Sequence, residues 1–214
     1  GGRAQVADAI VNTPVHITLE QAEAVLALIF RETPRCTGLR PLTGGCVSTV
    51  VEVSFEGVAS PIVLKLSVEA GDQDLARQAL VLDYFRAHTG FPVPRALKCD
   101  TTCSHVPFSW LALERLPGCN LGDATLSPDR HAALQREMAT HVATLHQHAA
   151  TCYGDIIGGQ SCTSWAEWAR EAALDMYREC EQGGLLSAEA LERARRVIDA
   201  LPEILDVDLP PVLN

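Results

Sequence analysis

Ile62-Val63-Leu64-Lys65-Leu66 sets one lysine inside an otherwise apolar run. The run is short, rich in β-branched residues and opens after Pro61, which reads as a strand. An ammonium group drawn into such a strand loses water, and the loss is costly unless an anion replaces it. Two readings fit: Lys65 meets an anionic partner, or it snorkels from an edge strand with its charge in solvent. The flanking sequence narrows the setting. Upstream, Leu42-Thr43-Gly44-Gly45 is a turn, and residues 47–55 form a second β-branched run closed by Glu56-Gly57. Glycines between two extended segments let a backbone approach a ligand and offer N–H groups to phosphate oxygens. The same pair also suits a plain hairpin turn. Downstream, residues 72–88 read as a helix with Leu75, Ala79, Leu82, Tyr84 and Phe85 as its apolar positions, stopped by Gly90 and Pro92. Residues 93–98 and 108–116 read as a strand pair joined by a polar hairpin. The order is β-β-β-α-β-β, ending at Pro117-Gly118.

Further outward, the pattern is helical. Thr18-Leu19-Glu20-Gln21 is a capping box opening a helix whose Ala22, Val25, Leu26 and Ile29 share one face and which ends before Pro34. After Pro117-Gly118, Ser127-Pro128 is an N-cap followed by proline at the first helical position. Leu134, Met138, Val142 and Leu145 then line one face. Ser164-Trp165-Ala166-Glu167 is a second capping box, and Gly183-Gly184 stops the helix it opens. Ser187 opens a last helix, with Leu191, Ala194 and Ile198 in register, expected to end before Pro202. The fold class expected is α+β: an N-terminal helical segment over 1–35, a β-rich lobe over 36–116, and a helical lobe over 117–214. Clefts between such lobes favour ligands.

The 214 residues are 47% apolar and 21% charged, ordinary globular composition. A net charge of −10 argues against nonspecific nucleic-acid binding, which needs clustered Lys and Arg. It suits a cationic substrate, and it is equally common among soluble proteins with no such partner. No apolar run is long enough to span a bilayer, and the start carries no basic-then-apolar leader, so no membrane partner and a cytoplasmic setting are expected. The eight cysteines lie mostly within apolar segments, where free Cys acts as a small buried hydrophobe. Cys99 and Cys103 with His105 nearby touch on a metal site but lack a second ligand pair, so no metal residue is assigned.

The combination of segments resembles the aminoglycoside phosphotransferase family, which has a protein-kinase-like fold. The resemblance rests on residues 42–50 with their Gly-Gly turn, on Ile62-Val63-Leu64-Lys65, on residues 89–95, on Leu113-Glu114-Arg115-Leu116-Pro117-Gly118 and on Leu145-His146. It implies an ATP- and Mg2+-dependent kinase acting on a hydroxyl of a small molecule, aminoglycoside-like antibiotic or metabolite, with antibiotic resistance among the family's roles. By the same resemblance Gly44, Gly45 and Ser48 would cover the phosphates and Lys65 would hold the α and β phosphates. The carbonyl of Glu114 and the N–H of Leu116 would bind the adenine edge.

Three departures accompany it. Ser48 stands where many relatives carry Asn. The helix after the lysine strand reads Arg77-Gln78-Ala79, so Gln78 replaces the glutamate that pairs with the lysine and can only hydrogen-bond it. The family's His-Gly-Asp, downstream Asn and later metal-binding Asp have no counterpart in these residues, so no catalytic residue and no metal ligand is assigned, and the 214 residues are expected to be an inactive fragment. A nucleotide-binding pseudokinase or binding module without turnover is the alternative, and a helical interaction protein on a strand-rich scaffold is a third. His146 reads as a satisfied helix-face histidine or as a contact to a catalytic loop. Trp165, Glu167 and Trp168 read as core anchors or as the lining of a site for a cationic sugar.

Overall fold

In the computed structural model, residues 14–31, 34–42, 48–57, 60–157, 161–206 and 210–212 are described. They fall into two units, Gly1–Gln135 and Arg136–Asn214. The architecture is α+β.

The first unit is built on strand alternation. β1 (Cys36–Pro41), β2 (Thr49–Phe55), β3 (Ile62–Ser67), β4 (Ala96–Asp100) and β5 (Ser109–Glu114) form one antiparallel sheet in the order β1-β2-β3-β5-β4. Lys65 therefore sits on a central strand, between Val50 of β2 and Leu111 of β5, and not on an edge. On one face, Val51, Val53, Ile62, Leu64, Leu66, Trp110 and Ala112 form the main core with α1 (Leu19–Ile29), which contributes Ala22, Val25 and Leu26. Removing a Leu64- or Leu66-sized side chain from water contributes roughly 1.5–3 kcal/mol. On the other face, α2 (Gln73–His88) packs Leu75, Ala79 and Leu82 against Val63, Leu111 and Leu113. The expected capping box forms: the Gln21 N–H donates to the Thr18 hydroxyl at 3.2 Å and the Thr18 N–H to the Gln21 side chain at 3.0 Å.

α3 (Pro128–Leu145) runs across the division at Gln135/Arg136. The second unit continues with a small hairpin, β6 (Tyr153–Gly154) and β7 (Ser161–Cys162), then α4 (Trp165–Gln182) packed against α5 (Ala188–Ile204). The Ala150 N–H donates to the Pro211 carbonyl at 2.9 Å, tying the segment after α3 to the last described residues.

Two local expectations change. α5 does not end before Pro202 but carries it inside its last turn. Proline removes only its own N–H bond, and the Leu205 N–H still reaches the Leu201 carbonyl at 2.9 Å, so the end of the helix tolerates it. At the start of α4, Ser164 caps as expected, accepting from the Glu167 N–H at 3.1 Å. The Glu167 carboxylate, however, reaches one residue further back, where Thr163 donates both its N–H, at 3.0 Å, and its hydroxyl, at 3.2 Å. Two donors on one residue outbid the single one a standard capping box offers.

Candidate functional site

Strand alternation decides which way Lys65 points. Ile62, Leu64 and Leu66 face the main core, so Val63, Lys65 and Ser67 face α2. Along α2, Leu75, Gln78, Ala79 and Leu82 recur at helical spacing on the face turned to the sheet. That periodicity delivers the Gln78 amide to the lysine: Lys65 Nζ donates to Gln78 Oε1 at 2.7 Å. Lys65 is half-buried, and burial pushes its pKa down; the negative charge of Asp72 works in the opposite direction.

Asp72 is the N-cap of α2 and accepts from the Leu75 N–H at 2.9 Å. Burial pushes its carboxyl up, but the Ser67 hydroxyl, the Leu75 and Asp74 N–H groups and Lys65 together hold it below the ordinary carboxylate range. The loop leading into α2 is pinned as well. The buried Ser109 hydroxyl donates to the Glu69 carbonyl at 2.5 Å, and the Gly71 N–H donates to the Thr101 carbonyl at 2.7 Å. Gly71 takes φ +74°, a left-handed conformation that glycine adopts without strain. These ties fix where α2 begins, and therefore where Gln78 lies.

The segment after β5 is held by a second charged group. Glu52 lies opposite Arg40 on β1 and Val63 on β3, so it shares the sheet face of Lys65. Arg40 donates to Glu52 through Nε at 3.0 Å and Nη2 at 2.7 Å, a bidentate pair. Arg115 donates from Nε to Glu52 Oε2 at 2.8 Å and from Nη1 to the Leu116 carbonyl. Hydrogen bonds from Arg40 and then Arg115 hold the Glu52 carboxyl below the ordinary glutamate range. One carboxylate thus ties β1 and β2 to the chain segment at 115–116. Beside it a cavity of about 420 Å³ opens, bordered by Arg40, Leu42, Arg115, Leu116, Gly118 and Asp123. Its lining is mixed: the charged Arg40, Arg115 and Asp123 stand beside the apolar Leu42 and Leu116.

Of the residues the sequence singled out, Lys65 and Gln78 are brought into direct contact, and Leu116 lines the cavity. Glu114 is the last residue of β5, where its N–H donates to the Arg95 carbonyl at 2.9 Å and its carboxylate accepts from the Arg95 N–H at 3.2 Å. Ser48 is half-buried, immediately before β2. Gly44 and Gly45 lie outside the described residues. Sequence reading missed the Arg40–Glu52–Arg115 group. Its one signal was an acid among the valines of Val50-Val51-Glu52-Val53.

Trp165 and Trp168 stack with ring centroids 5.0 Å apart, with Tyr153 tilted against Trp165, and the Glu167 carboxylate is engaged by Thr163. His146 continues the end of α3, its N–H donating to the Val142 carbonyl at 2.9 Å. Among the described residues no cluster of His, Cys, Asp and Glu could hold a metal ion; His105 pairs with Asp100 at 3.6 Å, and seven cysteines are free thiols.

Known proteins share this fold. A family model described as "Phosphotransferase enzyme family" matches residues 38–214. A thermostable mutant of aminoglycoside phosphotransferase APH(4)-Ia superposes with a TM-score of 0.62 at 15% identity, covering 90% of this chain and 61% of its own. The same protein in ternary complex with AMP-PNP and hygromycin B gives 0.60 at 16% identity, covering 89% and 61%. A candidate fructosamine-3-kinase from Haemophilus somnus 129PT gives 0.60 at 17% identity, covering 87% and 62%. The chain thus spans about three fifths of the length of these solved structures. No curated protein sequence matches it. The family match over most of the chain, with a fold shared by these solved structures, identifies the chain as a member of the phosphotransferase enzyme family with a protein-kinase-like fold.

Proposed function

We propose that the chain supplies the nucleotide-binding part of an ATP-dependent kinase that phosphorylates a hydroxyl of a small molecule, an aminoglycoside-like antibiotic or a metabolite. The observation that carries this reading is Lys65, half-buried on a central strand with a neutral amide as its hydrogen-bonded partner. A half-buried ammonium that nothing fully neutralises fits a phosphate. The neighbour holding AMP-PNP supports the same choice of ligand.

In this reading Lys65 holds the α and β phosphates. Gly44, Gly45 and Ser48 cover them. The Glu114 carbonyl and the Leu116 N–H take the adenine edge, with Arg40, Glu52 and Arg115 fixing the segment that presents it. Magnesium is the expected companion of ATP, and no residue here is assigned to it. The acceptor is a small molecule, with neither nucleic acid nor membrane as partner, and the setting is cytoplasmic. No helix among the described residues is long and apolar enough to cross a membrane. Positioning and charge neutralisation do most of the work in such transfers, and Lys65 and the hinge segment are the parts of that work these residues would perform.

A second reading, nucleotide binding without turnover, is favoured by Gln78, because a glutamine cannot form the ion pair with lysine on which active relatives rely. Binding and turnover separate the two. ATP at ten times its dissociation constant should stabilise the 214-residue protein by roughly 1.4 kcal/mol in a thermal shift assay. Lys65→Ala should remove most of that shift; an unchanged shift would take Lys65 out of the site. Labelled ATP with a panel of aminoglycosides should give no product from these 214 residues, and transfer above a boiled control would overturn the second reading.

A further inference from the structure

Little free negative charge surrounds Lys65: Glu52, on the same sheet face, is taken up by Arg40 and Arg115. The cross-strand neighbours of Lys65, Val50 on β2 and Leu111 on β5, are apolar. From β4 comes Cys99, a thiol that burial first, and then Asp100 and Asp72, keep protonated. From α2 comes Gln78, bonded at 2.7 Å. Asp72, at the N-cap of α2, is the carboxylate that acts on Lys65, and it is already engaged by the Ser67 hydroxyl and the N–H groups of Leu75 and Asp74. Burial works against the ammonium form. The geometry is nonetheless well determined. Gln78 shares a helix face with Leu75, which is buried, and the start of that helix is pinned through Ser67, Ser109 and Gly71.

A carboxylate in place of the amide would do two things at once: orient the lysine and cancel its charge. Gln78 does only the first. We propose that Gln78 is the positioning residue of a proton-linked phosphate anchor: it holds Nζ of Lys65 in place without neutralising it, so the phosphates of the bound nucleotide supply the missing counter-charge, and binding takes up a proton at alkaline pH. The proton ends on Nζ of Lys65, drawn from solvent as the phosphates arrive. This rests on the reading of the site as a nucleotide site and adds a statement about how that site is charged.

The linkage has a definite sign. In the free protein Lys65 loses its proton at lower pH than an ordinary lysine; a phosphate beside it raises the pKa again. Between those two values binding and protonation are coupled, so affinity falls as pH rises through the free-state value. Below it Lys65 is already charged and no proton is taken up.

The test is calorimetric titration of the 214-residue protein with ATP in EDTA-containing buffer from about pH 7.5, above the range where a terminal phosphate itself titrates near 6, up to about pH 10.5, the ordinary lysine value. Each pH is measured in two buffers of different ionisation enthalpy, and adenosine serves as the phosphate-free probe. For the wild type, ATP affinity should fall across this range with measurable proton uptake, while adenosine affinity stays flat. Gln78→Glu, nearly the same shape, should bind metal-free ATP roughly tenfold more weakly at the lower pH, one unit of pKa in differential interaction, and should lose both the pH dependence and the uptake. Gln78→Ala should bind more weakly yet keep the uptake, a split that a purely structural role would not produce. A flat wild-type profile, a Gln78→Glu profile equal to the wild type, or a Lys65→Met variant that keeps the wild-type pH dependence would each overturn the anchor while leaving nucleotide binding intact. A wild-type protein that binds neither ATP nor adenosine would overturn the nucleotide reading and the anchor with it.

Discussion

The two units bury their apolar residues very differently. In the sheet unit Val25, Leu26, Val53, Leu64, Leu66 and Leu111 have no solvent exposure at all, and Trp110 has almost none. In the helical unit the buried apolar residues are few, Leu145, Cys162, Ala166, Leu174 and Ile198, and each keeps a trace of exposure. There Met138, Met176, Val197 and Ile204 are more than half exposed. A sheet covered on both faces by helices saturates its core, because every strand residue finds a neighbour above or below. The helical unit pairs α4 with α5 and leaves apolar positions of α3 and α5 in solvent. Sequence periodicity alone had put Leu134, Met138, Val142 and Leu145 on one inward face. Of these only Leu145 is buried, since periodicity names a face but not what covers it.

The contrast is broken most directly by truncating each core. Trp110→Ala in the sheet unit should destabilise by about 3–5 kcal/mol, the usual range for deleting a buried aromatic. Met138→Ala should fall within about 0.5 kcal/mol, as surface changes do. Chemical denaturation of both variants measures the difference, and equal losses would mean that α3 is packed where the structure leaves it open. Charges sharpen the same point. Val53→Glu should abolish folding, whereas Val197→Glu with Ile204→Glu should fold and reduce binding of a hydrophobic dye. Unchanged dye binding would place the exposed apolar surface elsewhere.

Most of the sheet unit was legible because its signals are local. β-Branched runs marked β2 and β3, and Thr18–Gln21 set the start of α1 within one turn; β4, expected from residue 93, begins at Ala96, after Pro94. The Lys65–Gln78 contact was legible only through resemblance, since a strand lysine and a helix glutamine thirteen residues on have no local reason to meet. The Arg40–Glu52–Arg115 group was not legible. It depends on the β1–β2 register and on a segment 63 residues away folding back to the same carboxylate. Pro202 misled for the opposite reason: a reliable local stop signal falls within the last turn, where it removes little.

A smaller effect is expected from Glu52. Its carboxyl is held low by Arg40 and Arg115, so its folded pKa lies below its unfolded one. Such a group stabilises the fold above the ordinary glutamate pKa, and the contribution is lost as pH falls through the lowered value. Arg40 is largely solvent-exposed, so the pair is discounted to the range of surface ion pairs. Glu52→Gln should lower stability by about 1 kcal/mol at neutral pH. The variant and the wild type should converge as pH falls through the lowered value and the Glu52 carboxylate is neutralised. A difference that persists at low pH would mean that Glu52 acts through shape rather than charge.

The smallest effect belongs to the surface of α5. Arg195 donates from Nε to both oxygens of Asp199 at 3.2 Å, an i,i+4 pair with both side chains about half exposed. Its orientation is the weaker one: the cation stands toward the helix N-terminus and the anion toward the C-terminus, each at the end of like partial charge. Glu192 and Arg196, one turn earlier, are arranged the favourable way round. Exchanging the first pair, Arg195→Asp with Asp199→Arg, keeps composition and net charge and reverses only the direction of the pair. It should raise stability by about 0.2–0.5 kcal/mol at low salt, and the gain should shrink as salt screens exposed charges. A loss on exchange would show that the bifurcated hydrogen bond of Arg195 to Asp199 outweighs the helix dipole. The exposed side of α5 would then be held by specific contacts, as the sheet unit is, and not by propensity alone.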